Sequence, residues 1–220
     1  MGLLLSVDDQ RNVAYKVLAE AWRAQQGVTG NVLVEFHSAD QIEIATKMQK
    51  VIKSAHRKGC DCVMFVVDQE SHDPSKRDLL KRIRGAFEEL CANLSEGVTV
   101  GLIIAHSCLE CWLLTDVQAI VRFQVGKRGV RYNPSQSGRT EKYNPPQAVE
   151  AITHIMRLVA QKRGVKDTKR VKYEKSRSGK IAEQMQDLKK AAQRNGSFGY
   201  FLEMVVCDQD GCVHRQPQRD

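Results

Sequence analysis

The sequence predicts an α/β fold: a mostly parallel sheet flanked by helices, with a basic helical extension at its C-terminal end. The sequence contains four apolar runs, such as residues 62–67, in which hydrophobic and polar residues do not alternate. This pattern is typical of parallel strands that are buried on both faces. Stretches with apolar residues at helical spacing separate these runs. After residue 125 the chain becomes basic and loop-like, which indicates a change in organisation.

The first part of the chain is predicted to alternate strands with helices. The first helix carries Val17, Leu18 and Trp22 on one face, and Gly27 and Gly30 end it. In chain order, we predict strands at about residues 2–8, 31–36, 62–68 and 98–105, and helices at about 10–25, 39–58, 74–93 and 112–123. These units make residues 1–125 an α/β catalytic core in our division of the chain.

Residues 126–220 are predicted to form a basic loop and helical extension that packs on the core. Residues 126–146 contain Gly, Pro, Asn and Ser, a composition typical of a loop or binding arm. Helices are expected near 146–163, 179–193 and 197–206.

The positive charge of the chain is concentrated in one stretch. Residues 121–180 hold 16 Lys and Arg but only 4 Asp and Glu, a balance of +12 in a chain of net charge +8, so the other 160 residues sum to −4. A basic segment beside an acidic half suits a metal-dependent enzyme acting on nucleic acid, whereas the alternative is a solvated face that aids solubility.

Acidic residues follow the apolar runs at three places. Asp8 ends the first run, Asp68 and Glu70 end the third, and Glu110 follows the fourth. Because ligands bind at the carboxyl ends of parallel strands, and carboxylates are hard oxygen ligands, these four residues are candidate catalytic and metal-binding residues for Mg²⁺ or Mn²⁺. The alternative is that Asp and Glu end strands because they are poor strand residues.

Three further side chains are auxiliary candidates at the same edge, namely His72, His106 and Asp116. Either histidine could bind a metal ion or carry a proton near neutral pH, although a lone loop histidine is more often simply solvated. No phosphate-binding loop of the G-x-x-x-x-G-K-[ST] or G-x-G-x-x-G kind is present.

The cysteines favour a reducing cytoplasm as the simplest setting. Cys60, Cys62 and Cys91 lie in apolar stretches and are interpreted as small buried hydrophobes, and no second pair accompanies Cys108 and Cys111 at zinc-site spacing. No apolar stretch approaches the length of a membrane span, so no membrane partner is expected.

Residues 162–180 form the most basic short segment, with nine Lys and Arg. We expect Lys169, Arg170, Lys172, Lys175 and Arg177 to contact phosphates, and the interleaved Tyr173 could stack on an unpaired base. A docking surface for an acidic protein partner would have the same composition.

Two motifs resemble a known family. Residues 108–116 (CLECWLLTD) are similar to the F-E-x-W-L-L-x-D signature of the Toprim-like family called domain of unknown function 4276, and residues 173–182 are similar to its Y-x-K…I-A segment. The resemblance covers nearly the whole chain. It implies a Toprim-type nuclease related to the overcoming-lysogenization-defect enzymes, acting in the cytoplasm as the effector of a bacterial anti-phage system with an ATPase partner.

The chain departs from that family at two positions. Val7-Asp8-Asp9 stands where the family has V-E-G, and Asp68-Gln69-Glu70 stands where it has Asp-x-Asp. Both changes keep the charge and alter the reach of the side chain. The alternative function is therefore a catalytically degenerate module that binds a partner or nucleic acid without cutting it. A second copy of the chain is a further candidate partner, which would make the protein a homo-oligomer.

Overall fold

One parallel sheet organises the molecule. The computed structural model of the protein describes residues 1–7, 13–36, 44–69, 74–94, 98–106, 108–126, 139–207 and 212–213. The sheet consists of β1 (Leu3–Val7), β2 (Val32–Phe36), β3 (Cys62–Gln69), β4 (Thr99–His106) and β5 (Cys212–Val213) in the order β2-β1-β3-β4-β5, with every neighbouring pair parallel. The α/β prediction is confirmed, and the architecture is consistent with a Toprim-like fold.

Helices cover the sheet on both faces. They are α1 (Ala14–Gln25), α2 (Ile44–Arg57), α3 (Pro74–Ala92), α4 (Leu109–Leu113), α5 (Val117–Val125), α6 (Pro145–Lys162), α7 (Ser178–Ala182), α8 (Leu188–Ala192) and α9 (Gly196–Met204). The four longer strands and the first three helices of the core lie where the sequence predicts them, within a few residues, whereas the helix predicted at about 112–123 is divided into α4 and α5. Strand β5 was not predicted, and the helix expected near 179–193 is divided into α7 and α8.

Alternate residues of the strands enter two separate hydrophobic clusters. One face of the sheet, which we call the α1 face, packs against α1, α4, α6 and α9. Strand β3 contributes Cys62, Met64 and Val66 to this face. Val63 and Phe65 pack with α2 and α3 on the other, the α2 face. This period of two along β3 makes the sheet the middle of three layers, as expected for a parallel sheet buried on both sides.

The extension and the core share the cluster on the α1 face. Phe198 and Phe201 of α9 lie 5.3 Å and 5.0 Å, between ring centroids, from Trp112 of α4. Trp112 also donates a hydrogen bond from Nε1 to Ser197 Oγ at 2.9 Å. Residues after 139 therefore build the same hydrophobic core as the strands.

Cys62 is buried, as predicted, but it is in a disulfide bond with Cys207, which the sequence did not predict. The two Cα atoms are 6.3 Å apart although 145 residues separate them in the chain, because the segment after α9 returns to the start of β3. Cys91 is disulfide-bonded as well. Disulfides are uncommon in a reducing cytoplasm, so this bond does not follow from the compartment that the cysteine pattern suggested.

Among the residues that the structure describes, no helix has the length and apolarity that crossing a bilayer requires.

Candidate active site

Asp68 lies near the carboxyl end of β3 on the α1 face of the sheet. It pairs in register with Ala105 of β4, and alternation along β3 places it on the same side as Met64 and Val66. Its Oδ1 accepts a hydrogen bond from the Tyr15 hydroxyl at 2.8 Å. The side chain is partly buried at the end of the strand. The strand thus delivers one carboxylate to the edge where ligands of parallel sheets bind.

Glu110 provides a second carboxylate at this edge and is only 2% exposed. It lies in the first turn of α4, which follows β4 after a short connection with Cys108 at the N-cap. Its Oε1 accepts a hydrogen bond from the Tyr173 hydroxyl at 3.2 Å. Burial of an acidic side chain is costly unless it is hydrogen-bonded, so this contact is part of what allows Glu110 to lie inside the protein.

The charges of Asp68 and Glu110 act on the same neighbouring groups. The pKa of the buried Tyr173 hydroxyl is raised, chiefly by desolvation, then by the charge and hydrogen bond of Glu110, with smaller contributions from Cys108 and Asp68. The pKa of the Cys108 thiol is also raised, first by its hydrogen bond with Cys111, then by burial and by the charges of Cys111, Glu110 and Asp68. Both carboxylates therefore act electrostatically on Tyr173 and Cys108, whose raised pKa values keep the two groups protonated at neutral pH.

Tyr15 is held in an aromatic cluster that spans the core and the extension. Its ring is fully buried, packs edge-on against Trp112 with a centroid distance of 5.5 Å, and lies 6.1 Å from the ring of Phe201. Helix α1 begins soon after β1, so the helix carries Tyr15 across the sheet to the end of β3. The packing fixes the ring, and with it the hydroxyl that reaches Asp68.

Tyr173 comes from the middle of the basic segment 162–180. Its backbone N–H donates to Thr153 Oγ1 at 3.1 Å, and Arg157 Nε donates to the neighbouring carbonyl of Val171 at 3.0 Å. Two residues of α6 thus hold the main chain where the Tyr173 ring turns inward, 6% exposed. Tyr173 is therefore not placed to stack on a nucleic-acid base, because its ring is buried and its hydroxyl is bound to Glu110.

Three of the predicted site residues, Asp8, Glu70 and His72, lie outside the described residues. The described residues next to them are Val7, which pairs with Val66, and Gln69, which pairs with His106. Within the described ranges, no group of three or more His, Cys, Asp or Glu side chains is placed to hold a metal ion.

His106 and Asp116 do not join the two carboxylates. His106 is the last residue of β4, and alternation after Ile104 directs its side chain to the α2 face, opposite Asp68. Its Nδ1 is buried without a hydrogen-bond partner in the described part of the chain. Asp116 accepts a hydrogen bond from the backbone of Ala119 at the start of α5 and forms an ion pair with Arg122 at 2.8 Å, which is a structural role.

The five predicted phosphate contacts lie on or beside two 3-10 turns, Thr168–Arg170 and Lys175–Arg177. Lys169, Arg170 and Lys172 are exposed, whereas Lys175 and Arg177 are half-buried. Arg170 pairs with Asp167 at 2.9 Å, and Arg177 with Glu174 at 3.5 Å. Along the chain, the exposed cations therefore precede the buried Tyr173, and the half-buried ones follow it.

The site contains two residues that sequence reasoning missed, Tyr15 and the hydroxyl function of Tyr173. A signal for Tyr15 exists, since it lies three and four residues before Leu18 and Ala19 on the buried face of α1. A polar-tipped ring on such a face needs a hydrogen-bond partner. Only the fold shows that the partner is Asp68.

Comparison of the chain with protein-family models, with curated proteins and with solved structures found no match.

Proposed function

We propose that this protein is a metal-dependent nuclease that hydrolyses phosphodiester bonds in DNA or RNA, with Mg²⁺ or Mn²⁺ as its cofactor. One observation carries the proposal: Tyr173, in the middle of the basic segment, is hydrogen-bonded to Glu110 at the carboxyl edge of the sheet. The cations suited to a phosphate backbone and the carboxylates suited to a divalent cation thus belong to one region of the molecule.

The donor chemistry of the described residues fits a hard divalent cation in kind. Asp68 and Glu110 offer carboxylate oxygens, the ligands that Mg²⁺ and Mn²⁺ prefer, and both act on one region of the α1 face. In the proposal these two residues hold the ion together with Asp8 and Glu70, which follow β1 and β3 in the sequence. When bound, the metal supplies charge stabilisation and lowers the pKa of a bound water.

The residues of the chain have separate tasks in this proposal. Lys169, Arg170 and Lys172, which are exposed, attract and orient the phosphate backbone, and Lys175 and Arg177 contact phosphates nearer to the carboxylates. Asp8 holds or moves the proton of the attacking water, in the general acid–base role that the family resemblance implies. Tyr173 and Cys108, whose pKa values are raised, stay protonated and add no negative charge near the phosphate.

The cellular setting belongs to the proposal as well. The resemblance to the Toprim-like family implies an effector of anti-phage defence in the bacterial cytoplasm, working with an ATPase partner. Finding an ATPase reading frame beside this one would support that setting, since the partner would then be encoded with the nuclease.

The proposal is tested by a pair of substitutions at the two ends of β3. Asp68→Asn keeps the shape of the side chain and removes its charge, whereas Asp61→Asn makes the same change at the exposed residue before the strand, far from the carboxyl edge. Cleavage of oligonucleotides in Mg²⁺ should fall at least about 100-fold in Asp68→Asn. Changing a residue that only hydrogen-bonds to a metal ligand costs up to about 100-fold, and changing the ligand itself should cost at least as much.

Asp61→Asn should cleave at the parental rate. Equal cleavage by the two variants, measured on folded protein, would contradict the assignment of Asp68.

A second candidate function is a nucleic-acid-binding module that does not cut. Glu110 is almost fully buried under Tyr173, and the described residues alone do not complete a three-ligand metal site. Under this alternative, the parent binds oligonucleotide but does not cleave it in Mg²⁺ or Mn²⁺. The substitution Asp8→Glu introduces the residue that the Toprim-like family has at this position. A gain of cleavage would indicate a weakened enzyme, and no gain would indicate a binding module.

A further inference from the structure

Two tyrosines from distant parts of the chain approach the two carboxylates of the site. Tyr15, in α1, donates to Asp68 Oδ1 at 2.8 Å, and Tyr173, between α6 and α7, donates to Glu110 Oε1 at 3.2 Å. Each acid therefore receives one phenol hydroxyl. We propose that Tyr15 and Tyr173 are positioning residues, which hold the carboxylates of Asp68 and Glu110 in the orientation that the site requires; this inference rests on the proposed nuclease function.

Both hydroxyl groups are held by rigid surroundings. The Tyr15 ring is fully buried between Trp112 and Phe201, and the Tyr173 main chain is fixed by Thr153. A carboxylate on a rotatable side chain gains a defined orientation when such a donor binds one of its oxygens. The carboxylate keeps further lone pairs for other partners, because each ionised group has about four acceptor sites. Orientation by the tyrosine and binding of a ligand are therefore compatible.

The placement of the two tyrosines links the site to both halves of the fold. Asp68 depends on α1, which packs against α9, and Glu110 depends on the basic segment, which is held by α6. An ordered basic segment is thus a condition for an ordered Glu110. A role in positioning predicts that removing either hydroxyl harms metal binding and turnover while leaving the affinity for nucleic acid unchanged.

The experiment compares Tyr15→Phe and Tyr173→Phe with Tyr143→Phe. Each substitution removes only a hydroxyl. Tyr143 is the matched control, because its ring lies under the ammonium group of Lys142 and is not a partner of Asp68 or Glu110 in the proposed site. Calorimetric titration with Mn²⁺ and steady-state cleavage of a labelled oligonucleotide are measured for each folded variant. We expect Tyr15→Phe and Tyr173→Phe to lose about 10–100-fold in Mn²⁺ affinity or kcat. Oligonucleotide Kd should stay within about twofold, because the exposed cations remain.

A double substitution separates positioning from a general structural effect. If Tyr173 acts through Glu110, then Tyr173→Phe added to Glu110→Gln should cause no further loss of Mn²⁺ affinity, whereas independent effects would add. Parental Mn²⁺ affinity and kcat in both single Tyr→Phe variants would overturn the inference and leave the proposed function intact. A parent protein that neither binds Mn²⁺ nor cleaves oligonucleotide would refute the proposed function and the inference with it.

Discussion

Three cysteines in the described part of the chain are free and buried, namely Cys60, Cys108 and Cys111. Cys108 and Cys111 lie on either side of Glu110, with their sulfur atoms 3.7 Å apart. A thiol attacks as the thiolate, and the pKa of Cys108 is raised by its hydrogen bond with Cys111, by burial and by nearby negative charge. The Cys108 thiol is therefore a packing group at neutral pH, and the proposed hydrolysis relies on an activated water rather than on a covalent intermediate.

Cys60 gives a prediction for the pH dependence of stability away from the site. Burial, followed by the charge of Asp61, raises the pKa of this thiol, with a smaller raising effect of Glu35 and an opposing effect of Lys58. The folded protein thus holds this proton more tightly than the unfolded chain. The resulting stabilisation is complete below the ordinary thiol pKa of about 8.5 and is lost as the pH rises above it.

Replacing Cys60 by Ala removes this titration. We expect the free energy of unfolding, measured by urea titration between about pH 7 and pH 10, to fall less steeply in Cys60→Ala than in the parent. The comparison concerns the slope with pH, because the smaller side chain also lowers stability at every pH by leaving a cavity. Parallel pH profiles of the two proteins would contradict the prediction.

At the scale of elements, the basic segment is an ordered surface held by α6. Lys172 and Glu174 are exposed on either side of the buried Tyr173, so the segment alternates like an extended strand at this point. Arg157 binds the carbonyl of Val171, and Thr153 binds the N–H of Tyr173. Because the backbone is fixed, the exposed cations occupy defined positions and do not need to be ordered when a phosphate binds.

Two triple substitutions test this surface. One variant changes Lys169, Arg170 and Lys172 to Ala. The control changes Lys50, Lys53 and Arg57 to Ala, three residues that are exposed on α2 at the opposite face of the sheet. The first variant should bind oligonucleotide more weakly for all sequences. Its plot of log affinity against log salt should be flatter by about 0.7–0.9 for each lost phosphate contact.

The control variant has the same loss of charge and should keep the parental salt dependence. Equal weakening in both triples would show that net charge, rather than the basic segment, attracts the nucleic acid. Loss of a protein partner in a pull-down, with oligonucleotide binding unchanged in the first triple, would favour a docking surface instead.

The division of the helix expected near 179–193 has a tertiary cause. Helix α7 ends at Ala182, and the carbonyl of Gln184 accepts hydrogen bonds from Nε and Nη2 of Arg122 in α5, at 2.9 Å and 2.6 Å. Asp187 then caps α8 through a hydrogen bond from Lys190 N. The Asp187 cap is readable from the sequence, but the contact of Arg122 joins residues 62 positions apart and is not.

At the scale of the whole molecule, a buried arginine joins the start of the chain to the segment after α9. Arg23 is 2% exposed, and its Nη1 donates to the carbonyl of Val205 at 2.8 Å, while its Nη2 donates to that of Met1 at 2.7 Å. Desolvation lowers its pKa from the ordinary value. Its partners are carbonyl groups and the sulfur of Cys207, so the cation ties the N-terminal strand to the segment after α9 next to the Cys62–Cys207 disulfide.

Arg23→Lys should destabilise the fold strongly, because an ammonium group cannot replace a planar guanidinium that binds carbonyls on two sides. The loss of hydrogen bonds to a charged group leads us to expect a decrease in unfolding free energy of about 3 kcal/mol, measured by urea titration. Arg163→Lys is the matched control: Arg163 is exposed and binds one carbonyl, that of Gln124, at 2.8 Å. The control should change stability by less than about 0.5 kcal/mol, and equal effects would contradict the role of Arg23.

The sequence by itself determined the sheet, the order of its main elements and the edge at which Asp68 lies. Those features depend on local periodicity and on strand alternation, which are properties of neighbouring residues. The tertiary structure alone decided which partners the carboxylates have, since Tyr15 is 53 residues from Asp68 and Tyr173 is 63 residues from Glu110. It also paired Cys62 with Cys207 and turned Tyr173 inward. A side chain's partner depends on how distant segments pack, and no periodicity in the sequence encodes that contact.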